Sequence, residues 1–139
     1  MSIYDKLYAT AENEMGVHEL PGRAQNKKIL EYHACTSLKA IDDETPWCSS
    51  FINWVCKQNN IQGTNSAAAI SWMKWGVPLA KPIPGCIVVF KRPGGNHVAL
   101  YDVDYSKDFI RVLGGNQGDQ VSISNYRKDR ILGYRGVKQ

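Results

Sequence analysis

The 139 residues hold only three histidines and four cysteines, with no His-x-x-x-His and no Cys-x-x-Cys. That spacing excludes the usual zinc frameworks, and Cys35, Cys48, Cys56 and Cys86 show no regular pattern of a secreted disulfide scaffold. No metal or other cofactor, and no structural disulfide, is therefore expected. No apolar run approaches the ~18 to 20 residues of a bilayer span, which excludes a membrane-spanning helix and argues against stable membrane association. The opening MSIYDKLYATAENEMG mixes charges into an amphipathic pattern without the apolar core of a signal peptide, so synthesis in the cytoplasm with reduced thiols is the expectation. Repeats, low-complexity tracts and linkers are also missing, and the length suits a single domain over residues 1–139. Charge of one sign is scarce: seventeen Lys and Arg against thirteen Asp and Glu leave +4 and a pI near 8.9. This mild excess favours anionic polymers without choosing among them, and the basic turn Arg127-Lys128-Asp129-Arg130 lacks the interleaved aromatics of a nucleic-acid surface.

What is present divides into two halves. Apolar residues at three- and four-residue steps predict a helix from Ile3 to Met15 with Ser2 as cap, and another over about Ala24–Ala34. A densely apolar helix follows Pro46 over about Trp47–Gln58, and Ser66 caps a short one over Ala67–Trp75. The period then changes. Cys86–Phe90 reads as a buried strand, followed by strands over Asn96–Val103, Phe109–Leu113, Val121–Ser124 and Ile131–Val137, separated by turn residues. Helices first and an antiparallel sheet afterwards define an α+β class.

One cysteine stands apart from the others. Cys48 falls in the first turn of the helix after Pro46, where unpaired N–H groups and the positive end of the dipole favour a thiolate. Such a position lowers a thiol from ~8.5 towards roughly 3.5 to 7.5, which makes Cys48 a candidate nucleophile. A nucleophilic cysteine needs a base. His18 and His33 read as solvated, whereas His97 begins an alternating strand with Ala99 and Tyr101 on its face, the small Ala99 leaving room for a helix end. A third group would orient the imidazole through its other nitrogen. Asn116, just past the next strand, is the candidate; Asp102 has the wrong parity and Asp119 lies further out. Trp47, beside the cysteine, is a candidate substrate-binding surface, while Trp72 and Trp75 read as core. The series Asp102-x-Asp104-x-Ser106-x-Asp108 lacks the glycine and glutamate of a calcium loop and reads as a solvated hairpin.

Several stretches in one order carry a family resemblance: Pro46-Trp47-Cys48-Ser49-Ser50-Phe51-Ile52-Asn53-Trp54, Ser71-Trp72-Met73-Lys74-Trp75-Gly76, Pro84-Gly85-Cys86-Ile87-Val88-Val89-Phe90, and Gly95-Asn96-His97-Val98-Ala99-Leu100 followed by Gly114-Gly115-Asn116-Gln117. From about Ala24 onward the chain resembles papain-like peptidoglycan hydrolases of the CHAP and NlpC/P60 type, and among them small single-domain bacteriophage endolysins. It departs from their pattern at Cys86, where an Asp is usual, and at Gly114, where many CHAP members carry Glu. The resemblance implies a papain-like fold and hydrolysis of an amide in the peptide part of peptidoglycan, either the sugar–peptide amide or a peptide bond. Cys48 would attack, His97 would move the proton and Asn116 would hold His97. The Cys48 N–H would supply one oxyanion donor, with Gln25, Asn26 and the loop before Pro46 open as sources of a second. It further implies a monomer acting in the periplasm or cell wall after release from the bacterial cytoplasm. A secreted antibacterial effector of the same chemistry and a non-catalytic wall-binding module are the alternatives.

Overall fold

Capping side chains decide where the first helices begin. In the computed structural model, which describes residues 1–20, 26–37 and 46–138, helix α1 spans Ile3–Glu12. Ser2 Oγ accepts the Asp5 N–H at 3.1 Å while the Asp5 carboxylate accepts the Ser2 N–H at 3.2 Å, a reciprocal cap. The periodic pattern continues to Met15, but the chain leaves the helix after Glu12 through tighter turns that end at Gly16, whose φ is +92°. Helix α2 spans Lys27–His33 and starts at Asn26, whose side chain accepts the Lys28 N–H at 2.8 Å. Helix α3, Cys48–Gln58, differs: Trp47 precedes it and no side chain caps its first turn.

Ser66 also behaves as a cap, accepting the Ala68 N–H at 3.1 Å. The segment it opens is a 3-10 helix, Ala69–Lys74, rather than the expected α-helix over Ala67–Trp75. Six residues before the positive-φ Gly76 are few for an α-helix and suit the tighter form. The sheet strands are β1 (Val77–Leu79), β2 (Ile87–Arg92), β3 (Gly95–Asp104), β4 (Phe109–Gly114), β5 (Ser122–Arg127) and β6 (Ile131–Gly136). They form one antiparallel sheet in the order β1-β6-β2-β3-β4-β5. The three-residue β1 has no counterpart in the sequence reading because Pro78 argues against a strand; as an edge strand paired with β6 it accommodates the missing N–H.

Both faces of the sheet are covered, which explains the unbroken apolar run in β2. Ile87 and Val89, with Val98, Leu100 and Leu113 of β3 and β4, pack against Leu7, Ile29, Phe51, Ile52 and Trp72 on the helical side. Val88 and Phe90, with Ala99, Tyr101, Ile110 and Val112, form a second cluster joined by Tyr126, Ile131 and Tyr134. His97 continues the alternation of Ala99 and Tyr101, so it belongs to this second face, with its ring 5.2 Å from that of Phe90 and 5.5 Å from that of Tyr126. The helices carry Cys48 and the sheet carries His97, consistent with the α+β class.

Candidate active site

Cys48 sits at the start of α3, where the chain enters the helix from Pro46 and Trp47. Trp47 anchors this entrance. It is fully buried, stacks on Tyr32 at 5.9 Å and donates its indole N–H to Glu19 at 3.2 Å. The expectation of Trp47 as a stacking surface for substrate is thereby corrected, because its rings are spent on holding α3 in place. Trp72 is buried as expected and donates to Ser49 Oγ at 2.8 Å, so a second indole fixes the same helix turn.

The sulfur of Cys48 lies against backbone donors from two directions. The N–H groups of Cys48 and Ser49 in the uncapped helix turn, and the N–H of Val98 in the β3 peptide that follows His97, each favour its thiolate. Arg92 adds a positive charge. All four favour the thiolate, yet the thiol is pushed up and not down, because burial at 4% exposure outweighs them. The lowered thiol expected from the helix position alone is therefore overturned by desolvation. Cys56 is pushed up to about 12 by burial with nothing opposing it, and Cys86 to about 11, so Cys48 remains the cysteine with a helix N-terminus and a cation behind it.

His97 is completely buried, and its two nitrogens have different surroundings. Nε2 lies 2.9 Å from Gln117 Oε1. The amide of Gln117 is itself oriented: its Nε2 donates to the Ser122 carbonyl at 2.7 Å, while Ser122 Oγ donates to the Gln117 carbonyl at 2.9 Å. With the amide nitrogen on a carbonyl, Oε1 faces the histidine and can only accept, so the imidazole proton is on Nε2. Nδ1 then carries the lone pair. It is the one buried side-chain nitrogen or oxygen without a hydrogen-bond partner among the described residues. Burial and the nearby Arg92 charge hold the imidazole down at about 3, against a smaller upward pull from Gln117. Burial thus favours the neutral form of both groups.

The side chain held against His97 is that of Gln117 and not that of Asn116. Asn116 has φ +58° and is half-buried at the turn where the chain leaves β4, and the residue after it carries the amide to His97. The sequence reading had the right loop and missed its register by one. The signal was present in Gly114-Gly115. A Cβ on Gly114 would lie 2.9 Å from both the Ala99 Cβ and Gln117 Oε1; one on Gly115 would lie 2.7 Å from Trp47 and 2.8 Å from Phe51. These glycines let the loop pass between β3 and the start of α3, and the room beside Ala99 is taken by Gln117, not by a helix end. The loop is tied down by a bridge from His18 to Gln120 and by the Val121 N–H donating to Val17 at 2.8 Å.

The remaining candidates separate cleanly. Asp102 lies beside Tyr8 of α1, on the helical side and away from His97, as its parity indicates. Asp104 accepts from Tyr101 at 2.7 Å and pairs with Lys128 at 2.9 Å. Asn26 is engaged as the cap of α2 and donates to the His18 carbonyl at 2.8 Å; Gln25 and the loop before Pro46 lie outside the described residues. His33 corrects an expectation: it is buried, not solvated, with Nδ1 2.8 Å from Ser50 Oγ. Two residues missed by the sequence reading stand at the site: Arg92, whose charge acts on Cys48 and His97, and Tyr126, which packs on His97 and Phe90. Arg92 closes a hairpin and Tyr126 sits in the polar alternation of β5, so neither pattern set it apart from a surface residue.

No protein-family model matches the sequence, and no curated protein matches it. Among solved structures, the fold is similar to the P60 domain of an antigen from M. avium subspecies paratuberculosis, with a TM-score of 0.59 over 98% of this chain and 96% of that one at 14% sequence identity. The chain thus has the α+β fold of a P60 domain, consistent with a papain-like arrangement.

Proposed function

We propose that this protein is a cysteine hydrolase of an amide in the peptide part of bacterial peptidoglycan. The observation that carries the reading is the unpartnered, buried Nδ1 of His97, in a ring held by Gln117, next in sequence to the Val98 N–H on the Cys48 sulfur. Leaving a buried acceptor unpaired costs about 1–3 kcal/mol, and a histidine kept for packing alone has no reason to bear it.

In this mechanism the Cys48 thiol gives its proton to His97 Nδ1 as sulfur bonds to the substrate carbonyl carbon. The N–H groups at the start of α3 face the oxygen that becomes negative, a contribution of a few kcal/mol in sites of this kind, roughly 3. His97 then protonates the leaving nitrogen as the C–N bond breaks, giving a thioester and a free amine. Water loses a proton to the same Nδ1, attacks the thioester, and the thiol re-forms with that proton. Gln117 accepts from Nε2–H throughout and keeps Nδ1 towards the reacting atoms. Arg92 offsets part of the cost of the buried thiolate.

Peptidoglycan as the substrate rests on the CHAP and NlpC/P60 resemblance and on the net positive charge, which favours approach to an anionic wall. Within that resemblance we propose a phage endolysin acting from the periplasm as a monomer. The test is incubation of purified peptidoglycan with wild type and Cys48→Ser, both shown to be folded, with mass spectrometry of the soluble fragments. New amine termini from wild type alone are expected. Identical fragments from both proteins would remove Cys48 from the mechanism, and binding without fragments from either would make this a wall-binding module.

A further inference from the structure

We propose that Tyr126 is a positioning residue for His97, an inference that rests on the hydrolase reading above: its ring clamps the imidazole against Phe90 and closes it off from water, so that Nδ1 stays presented as the base. The ring of Tyr126 lies 5.5 Å from that of His97 at 37°, Phe90 lies 5.2 Å from His97 at 61°, and Tyr126 and Phe90 lie 4.4 Å apart at 45°. The three rings thus pack on one another as a triangle. Phe90 and His97 are fully buried and Gln117 nearly so, whereas Tyr126 is half-buried. Of the described side chains in ring or hydrogen-bond contact with the imidazole, Tyr126 is therefore the one that also meets solvent.

The fold brings this ring in from a distance. Phe90 sits on β2 and Tyr126 on β5, with β3 and β4 between them. In a flat sheet, three strand spacings of ~4.8 Å would hold the two about 14 Å apart. Their contact at 4.4 Å requires the sheet to roll, and the short turn Lys128–Arg130, which returns β5 to the β2 partner β6, draws the two sides together. Along β5 the half-buried positions are Ser122, Ser124 and Tyr126, so one face of this edge strand carries two small serines and then a large ring. Ser122 binds the Gln117 amide through its carbonyl and the Gln117 carbonyl through its hydroxyl. One strand therefore supports His97 twice, at Nε2 through Gln117 and on the ring through Tyr126.

The second support has a physical purpose. The torsion that turns an imidazole about its Cβ–Cγ bond is broad and close to two-fold, and a half-turn exchanges each nitrogen with a carbon. A hydrogen bond at Nε2 sets one atom of the ring, while the plane is set by what presses on its faces. Without the Tyr126 ring the imidazole is free to rock about the Gln117 contact, and water gains access to Nδ1, which is buried and unpartnered in the intact fold. A misplacement of about 1 Å at a reacting group costs on the order of a hundredfold in rate.

The test observes the imidazole directly, by nitrogen NMR of protein labelled at histidine, alongside cleavage of disaccharide-peptides from peptidoglycan. Wild type is expected to show His97 as the Nε2–H tautomer alone and without titration down to about pH 5, since burial and Arg92 hold it at about 3. Tyr126→Leu should mix the tautomers and move the titration up towards the ordinary ~6.5. Arg92 of β2 acts on both His97 and Tyr126, and Cys48 of α3 acts on Tyr126; both are kept in every variant, so the shift reports water at the imidazole. In cleavage, Tyr126→Leu should lower kcat at least tenfold with KM within threefold, and Tyr126→Phe, which keeps the ring, should recover most of that loss. If Tyr126→Leu does not fold, Tyr126→Met carries the same measurements. A single tautomer with an unmoved titration in the folded Leu or Met variant overturns the clamp, as does a Tyr126→Phe no better than Tyr126→Leu; wild-type cleavage alongside leaves the hydrolase reading standing. Wild type that cleaves nothing, with the tautomer still lost in Tyr126→Leu, supports the clamp and removes the hydrolase reading.

Discussion

His33 and His97 are both buried completely, one in the last turn of α2 and one on the second face of the sheet, yet they are placed for opposite ends. His33 turns Nδ1 to Ser50 Oγ and ties α2 to α3, as a structural histidine should. His97 is fixed at Nε2 alone and keeps Nδ1 open. Burial therefore does not separate the two histidines; the nitrogen left without a partner does, and in the hydrolase we propose, that nitrogen is the base. The same contrast separates Cys48 from Cys56, both buried, since only Cys48 meets backbone donors and a cation.

The comparison is broken most directly by exchanging the two histidines for alanine. His97→Ala should lower kcat/KM on peptidoglycan fragments by about 10²–10⁴-fold, the range of a lost general base, in a protein that still folds. His33→Ala should retain activity and lose about 1–3 kcal/mol in urea unfolding, the cost of an unpaired Ser50 partner and a cavity. Equal activity losses in the two variants would falsify the assignment.

Gln117 gives the next largest effect. Gln117→Ala should reduce kcat roughly tenfold to a hundredfold, the worth of one orienting hydrogen bond of about 1.4–2.8 kcal/mol, with little change in KM. Asn116→Gly, at a position whose φ is +58°, should leave kcat within about twofold, since glycine accepts that backbone and Asn116 does not hold His97. Kinetics that rank these two variants the other way would return the orienting role to Asn116.

Gly115→Ala probes the approach of the loop to α3. Its Cβ would press on Trp47 and Phe51, so unfolding free energy should drop by about 1–3 kcal/mol, with activity falling as Cys48 moves. A neutral result by thermal melting would show that the loop has slack.

The last effect is one of pH, read in stability and not in activity, and it follows from His97. Its folded value of about 3 lies below the ~6.5 of an unfolded histidine, so the unfolded chain takes up a proton first as pH falls. The contribution is fully present above about 6.5 and is lost between there and about 3, with a limiting slope of about 1.4 kcal/mol per pH unit. His97→Asn should flatten that part of the stability curve. Urea titrations at pH 7, 5 and 4 provide the check.

Much of this was written in local pattern. The spacing of Ile3, Leu7 and Ala11 predicts α1, the apolar run Cys86–Phe90 predicts β2, and alternation from His97 to Tyr101 places the histidine on the face where it is found. Cys48 at a helix start and His97 on a strand were both legible for the same reason: a helix terminus and a two-residue period are properties of consecutive residues. Residues 21–25 and 38–45, with their candidate donors, fall outside the described structure.

What pattern could not supply was contact between distant segments. Trp47 reads as a surface beside the nucleophile until Tyr32 and Glu19 close over it, and Asn116 reads as the orienter until the turn carries Gln117 to the histidine. The thiol of Cys48 follows the helix dipole in the sequence and desolvation in the fold, because burial depends on every element packed around the sulfur. Sequence by itself determined the α+β order, the cysteine at its helix end and the histidine on its strand. Tertiary structure decided which nitrogen stays open, which amide holds the ring and where Arg92 directs its charge, since each of these depends on side chains that meet only when the chain is folded.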